Sequence, residues 1–405
     1  MTTPASHTSD ISRRTYRFDL MRGGLDGVVE TGSSTFCLFI AIRHFDAGME
    51  AKSTIAAAPW LGMILSLILV HYASRTNAGK SACGAIPAAL GGCCLLLAAW
   101  AEQLVFFSFF VILAYICQSS ALPFLTSIYH DNYPAGKHGE FYSQPLRLMV
   151  AISILFSFAA STLLDLDLKY FTPVFLFLGV AALGKAYSIY SMPSKTIEES
   201  SHDNPFGNLK YAIQDRSFGY MLLTWFIMGF ANLWIQPLRV DYIASSAYGI
   251  EGSATMVAMI ISIIPNAMRL IFIPFWGKLF DRINFIVLRA IINVIFAMGI
   301  GLFFLTREPA IIGIGSALIG LAFAGGSIAW NLWVTKYAPP GKVAAYMSVH
   351  VCLTGIRGAL GPAIGFWAVG YLGPVKMGLI SAAMMFAATA MLVPEIQRGR
   401  RETRG

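Results

Sequence analysis

Apolar runs of about 18 to 25 residues recur along the whole of this chain, separated by short polar breaks. That spacing restricts the fold more than any other feature, because a chain crossing a bilayer must satisfy its backbone without water, and runs of this length do so within single helices. Of 405 residues, 56% are hydrophobic and only 12% charged, too few polar side chains to cover a soluble body of this size. The chain therefore reads as an all-α polytopic membrane protein. Twelve spans are expected near 22–43, 53–72, 81–100, 104–128, 144–164, 171–190, 218–240, 254–275, 284–305, 310–335, 346–370 and 374–394. The first two dozen residues are polar, with no hydrophobic stretch ahead of a cleavage site, so the N-terminus is expected to be retained.

The formal charge of +8 is spread over short loops and the two tails rather than gathered into a patch, which argues against nucleic acid. With the N-terminus inside, roughly nineteen Lys and Arg fall in cytoplasmic segments against about six outside, the asymmetry that orients membrane proteins. Both termini are expected to be cytoplasmic. Cys37, Cys83, Cys93, Cys94, Cys117 and Cys352 all lie in apolar segments, and no Cys/His spacing suits a metal. Neither disulfides nor zinc are expected, and no cofactor is implied.

Six spans precede the longest polar stretch and six follow it. The expected domains are an N-terminal bundle with its tail (1–190), a cytoplasmic linker (191–217) and a C-terminal bundle with a basic tail (218–405). Within the linker, Asn204 and Pro205 open a stretch where Phe206, Leu209 and Ile213 recur at helical spacing, as in a short surface helix or a merely solvated turn. The sequence also repeats itself. "PAGKHGEFYS" (134–143) and "PPGKVAAYMS" (339–348) precede the fifth helix of each half, with Pro134, Gly136, Lys137 and Ser143 matching Pro339, Gly341, Lys342 and Ser348. Their equivalent positions point to duplication, as in many transporters.

A second loop, "GKLFDRINF" (277–285), lies between the second and third helices of the C-terminal half. It resembles the loop signature of the major facilitator superfamily, matching at Gly277, Leu279, Asp281 and Arg282. Asn284 and Phe285 depart from that pattern, and the N-terminal counterpart "YASRTNAGKS" (72–81) keeps Gly79 and Lys80 but has no Asp. The resemblance implies two pseudo-symmetric six-helix bundles that rock about a central site. It makes Asp281, Arg282 and Gly277 candidate gating residues, although Asp281 also suits a purely structural role near a helix start.

Charges inside the spans carry the rest of the functional reading. An ionisable group at mid-bilayer costs at least about 2.5–3.5 kcal/mol, so it needs a partner or a wet cavity. In "GIRGALGPAIG" (355–365), Arg357 lies too deep for easy snorkelling, and His350, Thr354 and Arg357 share a helix face. Arg357 suits bidentate binding of a carboxylate or phosphate, a switching ion pair, or a permanent structural contact. Gly355, Gly358, Gly361 and Gly365 favour close helix approach, and Pro362 permits a bend. Arg269, between Pro265 and Pro274 and near Asn266, and Arg147, near the start of its span, are candidates for substrate binding and for gating respectively, with snorkelling the alternative for both.

The first span supplies Asp26 and Glu30, four residues apart on one face, with Ser33 and Ser34 beyond. A carboxylate facing a dry cavity can take up and release a proton in a transport cycle. Glu30 is the favoured coupling residue, because Asp26 also reads as a helix-start group at the interface. Asn232, Trp234 and Gln236, with Trp330, Asn331 and Trp333, place amides and indoles on the first and fourth helices of the second half, where they could bind a solute. Trp333 also suits an interfacial anchor.

These features favour a secondary active transporter of a small organic solute, with protons as coupling ion and the lipid bilayer as its environment. The chain lacks a Walker-type loop, so ATP is not the expected energy source. A transporter-like receptor or scaffold is the alternative; a membrane enzyme would need a tighter constellation than His350 with the first-helix acids. Drug export and organic-anion carriage both remain open. A monomer in a bacterial inner membrane is expected.

Overall fold

The computed structural model describes residues 4–73, 75–134, 138–196, 206–338 and 343–402. The duplicated-loop residues Gly136, Lys137, Pro339, Gly341 and Lys342, and the linker pair Asn204–Pro205, lie outside this set.

Eleven described stretches are long and apolar enough to span a membrane. The last, Val349–Pro394, runs for 46 residues. As one straight helix it would reach about 69 Å at 1.5 Å per residue, against a hydrocarbon core of about 30 Å. The backbone instead breaks at Gly373, with φ 75° and ψ 161°, a conformation open to glycine but strained for other residues. Pro374 follows and restarts the helix without needing an amide donor. The break makes two crossings of one stretch and brings the total to twelve.

Numbered in chain order, the membrane helices are α1 (Asp10–Arg43), α2 (Met49–Ala73), α3 (Lys80–Ala98), α4 (Leu104–Asn132), α5 (Ser143–Leu166) and α6 (Leu168–Tyr190). They continue with α7 (Arg216–Ala244), α8 (Ala254–Leu279), α9 (Phe285–Phe304), α10 (Pro309–Ser327), α11 (343–372) and α12 (374–402). The chain divides into two compact units, Met1–Pro205 and Phe206–Gly405.

In the first unit α1 packs on α5 and α6, α3 on α4 and α6, and α2 on α4. In the second, α7 packs on α11, α9 on α10 and α12, and α8 on α10. Tyr220 on α7 also donates to the Met391 carbonyl of α12 at 2.8 Å. The two units thus repeat one pattern of helix pairs, the structural counterpart of the duplicated loops. Small residues make the equivalent pairs close. Gly23 and Gly27 lie directly against the Pro145 and Met149 backbone on α5, and Gly361 and Gly365 lie against Leu233 and Trp234 on α7. A methyl group at Gly23, Gly27 or Gly365 would overlap main chain, and one at Gly361 would press tightly on it, so the helices could not approach as they do.

The first helix of each unit is irregular near its middle. Within α1, Gly32–Phe36 forms a widened π turn that begins two residues after Glu30. Within α7, the helix is interrupted at Trp234 and Ile235 before Pro237, whose ring cannot supply the amide that the preceding turn requires. Other boundaries differ from expectation. Helix α1 begins well before residue 22 because its polar first turns are tied down: Asn132 donates to Thr15 Oγ1 at 2.9 Å and to the Pro193 carbonyl at 2.6 Å. The surface helix expected from Phe206, Leu209 and Ile213 is only two short helical turns, Gly207–Lys210 and Tyr211–Gln214, with Ile213 86% exposed. Asp215 then caps α7 by accepting from the Ser217 and Phe218 amides.

Candidate functional site

The N-terminal unit concentrates charge on one stripe of α1. Asp19, Arg22, Asp26 and Glu30 recur at spacings of three and four, which align them on one face. Arg22 donates to Asp19 at 2.7 Å and to Asp26 at 2.8 Å. Lys185, from α6, donates to Asp26 at 2.6 Å. Tyr129 and Tyr133 both donate to Asp19, the latter at 3.1 Å. Burial, and next the Asp19 carboxylate, push the Tyr133 hydroxyl pKa up, so it remains a donor at neutral pH. Nearby, Lys80 pairs with Asp131 at 2.6 Å. Asp19 is fully buried and Lys185 and Arg22 nearly so, yet each of these ions has an opposite charge in contact.

A cavity of about 240 Å³ opens beside this network, wholly within the N-terminal unit. Arg22, Asp26, Glu30, Ser33, Gln118 and Lys185 supply much of its polar lining. Asp26 is clamped between two cations, while Glu30, one turn further along, is exposed and lines the cavity. The expectation that Asp26 sits at a helix start is corrected: it lies well inside α1, because the helix begins earlier than its hydropathy indicates.

The C-terminal unit treats its charges differently. Arg357 on α11 donates through Nη1 to the Trp225 carbonyl and through Nη2 to Thr354 Oγ1 at 3.0 Å. Its Nε is buried without a hydrogen-bond partner. Arg289, from the start of α9, lies over the Trp225 ring at 4.4 Å from its centroid and points at the Met228 sulfur. Trp225 stacks at 5.4 Å on Trp333, which stacks at 5.6 Å on Phe218. His350 is enclosed by Trp225, Trp330 and Trp333, with ring centroids 5.1–5.5 Å away, and its Nε2 has no partner. Asn293, one turn beyond Arg289, is fully buried with both amide atoms unpartnered.

Among the described residues, neither Arg289 nor Arg357 has a carboxylate within ion-pairing distance. They are 7% and 4% exposed, and both contact Trp225. Removing a guanidinium from water costs several kcal/mol. The two charged hydrogen bonds of Arg357 return about 1.5–3 kcal/mol each, which roughly offsets its burial. Arg289 has a cation–π contact of about 2 kcal/mol and a thioether, a weak acceptor, so its burial is not offset. A third buried arginine, Arg239, lies towards the far end of α7 against Phe303, also with an unpartnered nitrogen.

The structure brings Arg357, Thr354 and His350 together as their spacing suggests, sets Trp330 against His350, and adds Arg289, Trp225 and Asn293, which sequence reasoning missed. Arg289 reads as a flanking positive charge in "NFIVLRAI" (284–291); nothing local marks its contact with α7. Lys185 was missed for the same reason. Trp333 is corrected: it is fully buried in the aromatic stack rather than anchored at an interface. Asn232 and Gln236 are half-buried beside the interruption of α7. Arg269 is half-buried and donates to Asn266 at 3.0 Å. Arg147 and Arg282 are exposed, and Gly277 is half-buried with open space around it. The side chains of Asp281 and Asn331 lie outside the described residues.

Among solved structures, the chain is similar to the nucleoside transporter NupG, with a TM-score of 0.73 at 12% identity over 94% of this chain and 98% of that one. It is similar to a POT family transporter in complex with a thioalcohol-conjugated peptide (0.75, 12% identity, 95% and 96% covered). It is also similar to the xylose transporter XylE from E. coli in a partially occluded inward-open conformation (0.66, 14% identity, 96% and 98% covered). At these identities the likeness establishes the fold alone. No curated protein matches the sequence significantly. The family model of the Major Facilitator Superfamily matches residues 27–362, most of the chain and parts of all but its last helix, and the protein belongs to that superfamily of membrane transporters.

Proposed function

We propose that the protein is a secondary active transporter that moves a small organic solute by alternating access, with Glu30 carrying a coupling proton. The observation that carries this reading is the cavity in the N-terminal unit, where Glu30 is exposed beside a network that holds Asp26 between Arg22 and Lys185. A carboxylate that faces a cavity can exchange its proton with whatever fills it. Asp26 then tunes the site and Glu30 titrates. The solute is held by residues of the C-terminal unit, among them Arg357, Trp330, Asn331, Asn232, Gln236 and Arg269. Gly277, Asp281, Arg282 and Arg147 govern opening and closing.

The similar structures are described as a nucleoside transporter, a xylose transporter and a POT family transporter in complex with a thioalcohol-conjugated peptide, so the fold admits solutes of several classes. The proposed setting is a bacterial inner membrane, with the protein monomeric and both termini cytoplasmic. Proteoliposomes with an entrapped pH dye test the coupling: a transported solute should drive proton movement in the wild type, and Glu30→Gln should uncouple it. Unchanged proton movement in Glu30→Gln removes that residue from the coupling role.

A further inference from the structure

The two units repeat the same helix pairs but not the same electrostatics. In the first, each buried charge on α1 and α6 is matched: Asp19 with Arg22, and Asp26 with Arg22 and Lys185. In the second, Arg289 and Arg357 converge on Trp225 with no carboxylate beside either of them among the described residues. Two like charges brought together inside a protein without a counter-ion are under-compensated, and the groups around them are all donors or neutral. Arg357 Nε, His350 Nε2 and the Asn293 amide are buried and lack partners. Glycine keeps space for the Arg357 guanidinium: Gly229 on α7 lies directly against it, where a methyl would overlap it.

We propose that Arg289 and Arg357 form a binding site for an oxyanion, a carboxylate or a phosphate monoester, and that the solute carried by this transporter bears such a group. The site completes the electrostatics of the C-terminal unit as Asp19 and Asp26 complete those of the N-terminal one. Guanidinium groups present paired N–H donors that match the oxygen spacing of either anion. Arg289 supplies charge over the face of Trp225, and Arg357 is fixed by Thr354 and the Trp225 carbonyl with Nε left for the ligand. His350 adds a buried ring nitrogen, Nε2, that lacks a partner. The claim about the solute rests on the transport reading above; the claim about the site does not.

The test uses the full chain in lipid nanodiscs, with benzoate and phenyl phosphate as probes and benzamide as the neutral isostere. Trp225 and Trp333 report binding through intrinsic fluorescence, and unfolding temperature reports it independently. At millimolar concentration, at least one anion should bind and raise the unfolding temperature, while benzamide does neither. Benzoate alone would identify a carboxylate site; phenyl phosphate alone, a phosphate site. Arg289→Gln and Arg357→Gln should each weaken binding about tenfold or more. Arg289→Lys and Arg357→Lys, which keep the charge and are better placed to fold, should retain a measurable part of it. Equal binding of benzamide, no binding of either anion, or affinity unchanged in all four variants would overturn the site. Flux in proteoliposomes separates the two claims. Anion binding without flux leaves the site standing and removes the transport reading. Flux of neutral or cationic solutes that both glutamine variants preserve removes the anion assignment and leaves transport intact.

Discussion

The guanidinium of Arg289 lies 4.4 Å from the ring centroid of Trp225, and the carbonyl of that same Trp225 accepts from Arg357. One residue on α7 therefore fixes two cations from α9 and α11. Replacing its ring should loosen the first without removing the second. Trp225→Leu is expected to lose about 2 kcal/mol of cation–π contact together with the stack on Trp333, and so to lower the unfolding temperature more than Trp330→Leu. Trp330 is half-buried and contacts only His350 among the rings described. Equal melting of the two variants would contradict the hub role of Trp225.

Gly229 faces the head of Arg357. A methyl there must displace the guanidinium, and overpacking of this kind costs about 1–3 kcal/mol. Gly229→Ala should therefore melt lower than wild type. Gly277→Ala, with open space around it, should melt like wild type, and a reversal of this order would show that Arg357 is free to move aside.

In the N-terminal unit, Asp26→Asn should be more damaging than Lys185→Met. Loss of Asp26 strands Lys185, whose side chain is 10% exposed, as a buried unpaired charge, at about 3 kcal/mol or more. Loss of Lys185 leaves Asp26 still paired with Arg22 and itself 22% exposed. Comparative thermal melts of the two variants in the same detergent check the order.

His44, just beyond α1, packs against Phe45 and Phe171 at 4.6 and 4.7 Å. Burial lowers its pKa, a pull that Asp167 opposes. A base whose folded pKa is depressed favours folding above its unfolded value of about 6.5, and that contribution is lost as pH falls below it. Stability should decline below that pH in wild type and less steeply in His44→Gln, as melts across a pH series would record.

Much of this architecture was legible because hydropathy and loop duplication are local properties of a sequence. The spans, the six-plus-six layout and the shared face of His350, Thr354 and Arg357 all follow from spacing. What remained hidden depends on contacts between distant segments. Asp26 and Arg22 are four residues apart and readable as a pair, but Lys185 reaches them only through the packing of α6 on α1. Arg289 resembles any basic residue that flanks a span until α9 places it on Trp225. Trp333 resembles an anchor because the aromatic stack that buries it draws Trp225 and Phe218 from another helix. The early start of α1 was missed because its first turns are polar and are held by Asn132 rather than by lipid.

The most direct measurement of the account is solid-supported-membrane electrophysiology on the reconstituted full chain, using concentration jumps of anionic, neutral and cationic solutes at several pH values. A carboxylate- or phosphate-bearing solute should evoke currents that depend on pH, that lose this dependence in Glu30→Gln and that nearly vanish in Arg357→Gln. Full currents from a neutral or cationic solute, with pH dependence kept in both variants, would contradict it.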